Sequence, residues 1–180
     1  MNENTNHSVR FLAFVSQSIT FETGGDKAGG HTNDPDDKGG ETKWGISKRS
    51  HPELNIKTLT FQQAQEVYYK RYYNVMYDYI SDNAIAFKLF DMGILTGTNK
   101  AVKLLQKEIV KNGYLIRIDG IFGPLTLTAL NLCKGPLTYE RYVTRYNKYF
   151  KLISLKWNNK KYLKGWLNRL DWKWQIRKEG

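Results

Sequence analysis

Glu22 closes the run Phe21-Glu22-Thr23-Gly24-Gly25, and the segment Asn33-Asp34-Pro35-Asp36-Asp37-Lys38-Gly39-Gly40-Glu41-Thr42-Lys43-Trp44-Gly45-Ile46-Ser47 follows shortly after it. A carboxylate at the end of an apolar run is thus succeeded by a stretch dense in glycines and acids. A hydrolase working across a cleft needs one carboxyl that gives up a proton and one polar group that places water. Glu22 is the candidate for the first role and the Thr42 hydroxyl for the second. A carboxyl set against apolar side chains keeps its proton more readily, which suits a general acid. Ile19 and Phe21 are the neighbours expected to provide that setting, although a glutamate at a helix end is more often a solvated surface group. Trp44 offers either a core ring or a face on which a sugar ring stacks. Asp34 beside Pro35 and Asp36 reads mainly as turn chemistry. Asp37, next to Lys38 and two glycines, is the better second carboxylate.

Other chemistries find less support. The acids between Asp34 and Glu41 do not follow the alternating spacing of a calcium loop. His7, His31 and His51 lack metal-ligand spacing, so no metal and no cofactor is expected. No nucleophile elbow supports a serine triad, and no lysine and hydroxyl complete a phosphate-binding loop. The single cysteine, Cys133, excludes an internal disulfide and a cysteine-built zinc site, and reads as a small buried apolar residue.

Hydrophobic periodicity sets the frame that must position these groups. Phe11, Leu12, Phe14, Val15 and Ile19 predict a helix from about residue 9 to Glu22, capped by Ser8. Residues 23–47 hold seven glycines and no apolar helical stripe, so a loop or short β-hairpin is expected there. Thr60 with Gln63 forms a capping box for a helix expected to run to about Asp78. Further helices are predicted over Ile85 to Leu95, from a Thr98 cap to Gly113, from Pro124 through Leu130, after Pro136, and around Leu163 to Leu170. Asp119-Gly120 marks a turn. The fold class is mainly α, with one small irregular or β element near residues 25–47.

Charge is distributed unevenly. Residues 1–90 hold 10 Lys/Arg and 11 Asp/Glu, and residues 91–180 hold 18 and 6, giving −1 and +12 and the total of +11. A basic half beside a neutral one implies a polyanionic partner or surface. In the basic half Trp157, Trp166, Trp172 and Trp174 interleave with Lys156, Lys160, Lys161, Lys164, Arg169 and Lys173. Such stacking planes among cations suit single-stranded nucleic acid and equally acidic sugars, while a plain aromatic core under a solvated basic face is the ordinary reading for most of these residues. This leaves a competing reading, a non-enzymatic binding module for nucleic acid or wall polymer. No segment has the length and apolarity of a membrane span, and the N-terminal residues make a poor secretory signal.

The segment from Glu22 to Gly25 with that from Asn33 to Ile46 closely resembles the N-terminal signature of glycoside hydrolase family 108, lysozyme-like N-acetylmuramidases found as phage endolysins and as secretion-associated bacterial muramidases. Asp91-Met92-Gly93-Ile94-Leu95-Thr96-Gly97, Ala101 to Gln106, Asp119-Gly120-Ile121-Phe122-Gly123-Pro124 and Gly165-Trp166-Leu167-Asn168-Arg169 resemble the predicted peptidoglycan-binding segment that accompanies the family. The resemblance implies a lysozyme-like helical fold, with a catalytic region over 1–90 and a basic, helical peptidoglycan-binding region over 91–180, packed together as one monomeric unit. It implies catalytic roles for Glu22, Asp37 and Thr42, and substrate contacts from Trp44, Asp34, Asp91 and Trp166. Leu95 departs from the family, which often carries asparagine there. The implied reaction cleaves the β-1,4 bond between N-acetylmuramic acid and N-acetylglucosamine in peptidoglycan, with no nucleic-acid partner. An enzyme made in the cytoplasm without a signal would reach the wall or periplasm after release, by holin-dependent or related export.

Overall fold

The computed structural model describes residues 7–33, 40–133, 136–156 and 160–174. Among them the chain is mainly helical, with seven α-helices and one two-stranded sheet. It divides into two packed units, Met1–Tyr73 and Asn74–Gly180.

The first unit begins with α1 (Val9–Thr23), whose N-terminus Ser8 caps by accepting from the Phe11 amide at 3.1 Å. Phe11, Phe14, Val15, Ser18 and Ile19 form its buried stripe. Gly24 ends the helix in the left-handed conformation at φ 62°. The chain then returns through the hairpin β1 (Thr42–Lys43) and β2 (Ile46–Ser47), in which Thr42 faces Ser47 and Lys43 faces Ile46. Thr32 extends the ladder by pairing with Thr42. Helix α2 (Phe61–Tyr72) starts at the expected capping box, with Thr60 and Gln63 each bonding the other's backbone. It stops at Tyr72 rather than near Asp78. Tyr73 is extended, and Asn74 caps a separate 3-10 turn, Val75–Tyr79, by accepting from the Met76 amide. The side-chain cap competes with helix continuation and wins.

The second unit is built on α3 (Asn83–Thr96), which is buried along nearly its whole length; α4 (Thr98–Lys111), α6 (Pro136–Lys156) and α7 (Lys160–Asp171) meet it, and α5 (Pro124–Leu132) packs on α4 and the 3-10 turn. Thr98 is the first helical residue of α4, not its cap. Gly97 occupies that position at φ 82°, where a threonine would be strained, and makes no side-chain bond. Helix α4 ends at Lys111, with Gly113 two residues on at φ 92°. Pro124 opens α5 as expected. Cys133 closes α5 half-buried rather than buried, and its partial burial raises the thiol pKa. Large aromatic side chains fill the interior. Tyr142 and Tyr146 are fully buried with their hydroxyls engaged, Tyr142 donating to the Ala101 carbonyl at 3.0 Å and Tyr146 paired with Thr96 at 3.1 Å. Among the described residues no helix is long and apolar enough to cross a membrane.

The deepest polar feature lies between α3 and α7. Lys88 is 0% exposed, and its ammonium donates to the carbonyls of Arg169, Leu170 and Trp172 at 3.0, 2.8 and 2.7 Å. One turn along α3, the buried Asp91 accepts from Arg169 Nε and Nη2 at 2.7–3.1 Å. Burial lowers the Lys88 pKa to about 8, while the neighbouring Asp91 acts in the opposite sense. The three carbonyls match the three donors of an ammonium, and those of Arg169 and Leu170 are orphan acceptors in the last turn of α7. Removing one member of a buried ion pair costs about 3–5 kcal/mol, because the other charge is left uncompensated. Arg169→Met should therefore lower the thermal unfolding midpoint sharply, and adding Asp91→Leu should recover much of the loss. If the double variant is no more stable than Arg169→Met, Asp91 is not the group that Arg169 neutralises.

Candidate active site

The buried stripe of α1 points at the site. Phe11, Val15, Ser18 and Glu22 recur at intervals of four, three and four, so Glu22 continues the inner face of the helix where that face emerges at its end. Glu22 is exposed. The expected flanking residues do not enclose it: Ile19 is buried in the helix's own packing, and Phe21 is half-buried. What lies against Glu22 is the tip of the hairpin. A methyl group on Gly45 would fall 2.8 Å from Cβ and Cγ of Glu22 and 2.5 Å from Tyr68 Oη, so only a residue without a side chain fits between them.

The hairpin tip is held with unusual firmness. Trp44 and Gly45 form its two-residue turn, with φ 55° and 75°, the signs that a type I′ turn requires. A tryptophan in the left-handed region is strained by about 1–2 kcal/mol. Four contacts hold it there. The Trp44 amide donates to the Gly29 carbonyl at 2.7 Å, its carbonyl accepts from Tyr68 Oη at 3.0 Å, and its indole N–H donates to the Leu59 carbonyl at 3.0 Å. Phe61 meets the indole edge-on at 5.3 Å. Gly29 is the base on which the ring lies, since a methyl there would come 2.6 Å from it. Asp26 shapes the turn carrying Gly29 and Gly30 by accepting from the amides of Ala28 at 2.8 Å and Gly30 at 3.0 Å. A cleft of about 330 Å³ opens beside this ring, lined by Trp44, Phe61, Ile19, Thr20 and Thr23, with Asp26 and Lys27 at its edge. An aromatic face, hydroxyls and a carboxylate make such a cleft suited to a carbohydrate ring.

The anticipated residues fall into three groups. Glu22, Thr42 and Trp44 belong to the same unit, and Thr42 and Trp44 share one hairpin. Thr42 is half-buried, and its hydroxyl donates to the Gly40 carbonyl at 3.1 Å. Asp34 and Asp37 lie outside the described residues. Asp91 and Trp166 belong to the second unit: Asp91 is fully buried on Arg169, and Trp166 stacks on Phe150 at 5.3 Å. Trp172 and Trp174, both half-buried, pack against Phe87 at 4.9 and 5.1 Å. The histidines each meet a carboxylate, His7 with Glu66, His31 with Glu41 and His51 with Glu53. Among the described residues no group of three or more His, Cys, Asp or Glu gathers as a metal site. The roles of Gly45, Tyr68 and Asp26 were not anticipated. An Asp directly after Gly24-Gly25 was the available signal for a turn, whereas Tyr68 acts across 24 residues and left none.

Comparison with known proteins bears on this geometry. Residues 25–97 match the family model for glycosyl hydrolase 108, and residues 100–171 match that for a predicted peptidoglycan domain. The chain carries a glycosyl hydrolase 108 segment. The two matches set a segment similar to a glycosyl hydrolase family ahead of one similar to a predicted peptidoglycan domain. Glu22 lies just before the matched stretch, and the hairpin with Thr42 and Trp44 lies within it. Among solved structures, "Structure of Brucella abortus SagA" superposes with a TM-score of 0.60, covering 88% of this chain and 94% of that one at 21% identity, a likeness of fold. A search of curated proteins found no match.

The Gly45 contact yields a direct test. Gly45→Ala forces the hairpin tip away from Glu22 and Tyr68, and small displacements of a reacting group cost up to about 100-fold in rate. Gly24→Ala, at φ 62° with open space around it, carries the left-handed strain alone. Wall clearing should fall at least ~10-fold further in Gly45→Ala than in Gly24→Ala at matched thermal stability. Equal losses would mean that packing between Gly45 and Glu22 has no part in the reaction.

Proposed function

We propose that this protein is an N-acetylmuramidase that cleaves the β-1,4 bond between N-acetylmuramic acid and N-acetylglucosamine, with Glu22 as general acid. The observation that carries the reading is the seating of Glu22 at the open end of the α1 inner stripe, against the Trp44-Gly45 turn whose tryptophan also walls the carbohydrate-sized cleft. Glu22 protonates the glycosidic oxygen as its bond to the anomeric carbon breaks. Asp37 stabilises the positive charge that develops on the sugar or, with Thr42, orients the water. That water's hydroxyl joins the anomeric carbon, and its remaining proton restores the acid through solvent, so one water is consumed per bond. Trp44 provides the sugar-stacking face, and Asp34 is a further substrate contact. Asp91 and Trp166 act in this reading by supporting the fold of the second unit.

The chemistry belongs to the region up to about residue 90, and wall attachment to the basic region beyond it. The monomeric enzyme, made in the cytoplasm, acts at the wall or periplasm after holin-dependent or related release, in phage-type lysis or in secretion. Glu22→Gln keeps the side-chain size and removes the titrating proton. Activity should drop at least ~100-fold, the scale of general acid catalysis, with thermal unfolding little changed and with wild-type fragments carrying a new reducing end at N-acetylmuramic acid by mass analysis. Wild-type lysis by Glu22→Gln would refute the role. Fragments cut in the peptide would refute the muramidase reading.

Attachment has its own signature. Surface attraction is screened beyond roughly 8 Å at physiological ionic strength. Binding to intact wall should weaken steeply with salt, while cleavage of a short neutral oligosaccharide should change little. Neutralising the exposed Lys156 and Lys164 should reduce wall binding and spare the small substrate. Salt-resistant binding to single-stranded nucleic acid without glycosidase activity would favour the binding-module alternative.

A further inference from the structure

A cleft of about 390 Å³ lies between α4 and α6 in the second unit, away from every residue given a role above. Its walls are Glu108 and Lys111 from α4 and Arg141, Thr144, Arg145 and Lys148 from α6. The α6 residues recur at intervals of three, one and three, so they form a single helical face. Four cations against one carboxylate leave the cleft strongly positive.

The single acid is not available to a ligand. Glu108 is 3% exposed and is paired with Nε and Nη2 of Arg145. Its effect is to fix the Arg145 guanidinium, which has five donors and is not exhausted by one carboxylate. Asn112 does the same for the other arginine. Its side chain donates to the Glu108 carbonyl at 2.8 Å and accepts from Arg141 Nη1 at 3.2 Å. Two guanidinium forks are thus held in place by the end of α4, with Lys111 and Lys148 exposed at the rim. Planar forks of this kind recognise carboxylates, and fixing them in advance lowers the entropy lost on binding. The volume is that of a small-ligand site.

We infer that this cleft binds the carboxylates of the peptidoglycan stem peptide. The inference rests on the peptidoglycan reading of the second unit and deepens it. Where a stem peptide is attached, the lactyl carboxyl of the glycan is consumed in the amide to it, so the carboxylates concentrated in that polymer are those of its peptides. The peptide would hold the chain to uncut wall through α4 and α6, independently of the chemistry at Glu22.

The test is binding of the full chain to the tetrapeptide L-alanyl-γ-D-glutamyl-diaminopimelyl-D-alanine, followed by calorimetry at fixed salt. Wild type should bind it, the fully amidated peptide should bind at least ~10-fold more weakly, and Arg141→Gln/Lys148→Gln should lose a similar factor for the acidic peptide. Both substituted side chains are exposed, and thermal unfolding checks that the fold is kept. The double variant should hydrolyse peptide-free oligosaccharide at the wild-type rate. Equal binding of acidic and amidated peptides, or unchanged binding by the double variant, would overturn the inference. So would binding of peptide-stripped glycan, with its free lactyl carboxylates, in place of the peptide. Because binding is read without cleavage, a chain that binds the peptide but cuts no wall would overturn the muramidase reading and leave this one standing.

Discussion

The second unit depends on one buried charge arrangement. Lys88 and Asp91 sit one turn apart on α3, both without solvent exposure; the end of α7 and Trp172 just beyond it give Lys88 three carbonyl acceptors, and Arg169 gives Asp91 a guanidinium. Hydrophobic burial would hold α7 somewhere on α3. It would not fix the register, because apolar contact is non-directional. The carbonyls of Arg169, Leu170 and Trp172 can meet the Lys88 ammonium only when α7 ends at one height along α3. The Arg169 guanidinium then reaches Asp91. A misplaced α7 would strand two charges in an apolar interior, at a cost of several kcal/mol for each. The aromatic packing of Trp172 and Trp174 on Phe87 follows from that register.

The first unit solves its placement problem by leaving side chains out. Gly29 and Gly45 are sites where a methyl group would collide, one with the Trp44 ring and the other with Glu22 and Tyr68. The hairpin therefore approaches α1 and α2 through bare backbone. Trp44 is the counterweight: a large residue held at positive φ by three hydrogen bonds and an aromatic contact. Strain of this kind persists only where the surroundings over-determine the conformation.

Local rules made the helices readable. Ser8, Thr60 with Gln63, and Pro124 each announce a helix start through bonds made within a few residues. The periodic apolar faces did the same for α1 and α4. The misjudged boundaries share a cause, since the end of α2 and the start of α4 depend on backbone geometry at Tyr73 and Gly97 that no apolar pattern encodes. Within the candidate site, Glu22, Thr42 and Trp44 are singled out by their types and their glycine setting, and all three fall in the first unit. Gly45 against Glu22, and Tyr68 on the Trp44 carbonyl, are tertiary contacts between segments that share no period. Asp91 illustrates the opposite error. A carboxylate in a motif suggested contact with substrate, whereas its burial on Arg169 gives it a structural role that only the fold reveals.

The pairing of Lys88 with α7 also carries a consequence for biosynthesis. The lysine and its first acceptor are separated by 81 residues. At roughly 5–20 residues per second of translation, α3 exists for about 4–16 s before that acceptor has been made. During that interval the ammonium and the Asp91 carboxylate have only water as a substitute for α7, so a nascent α3 cannot be sealed into an apolar core. Maturation of the second unit is therefore timed by the arrival of its last helix, and a ribosome stalled before Arg169 would hold a chain whose central helix must stay wet.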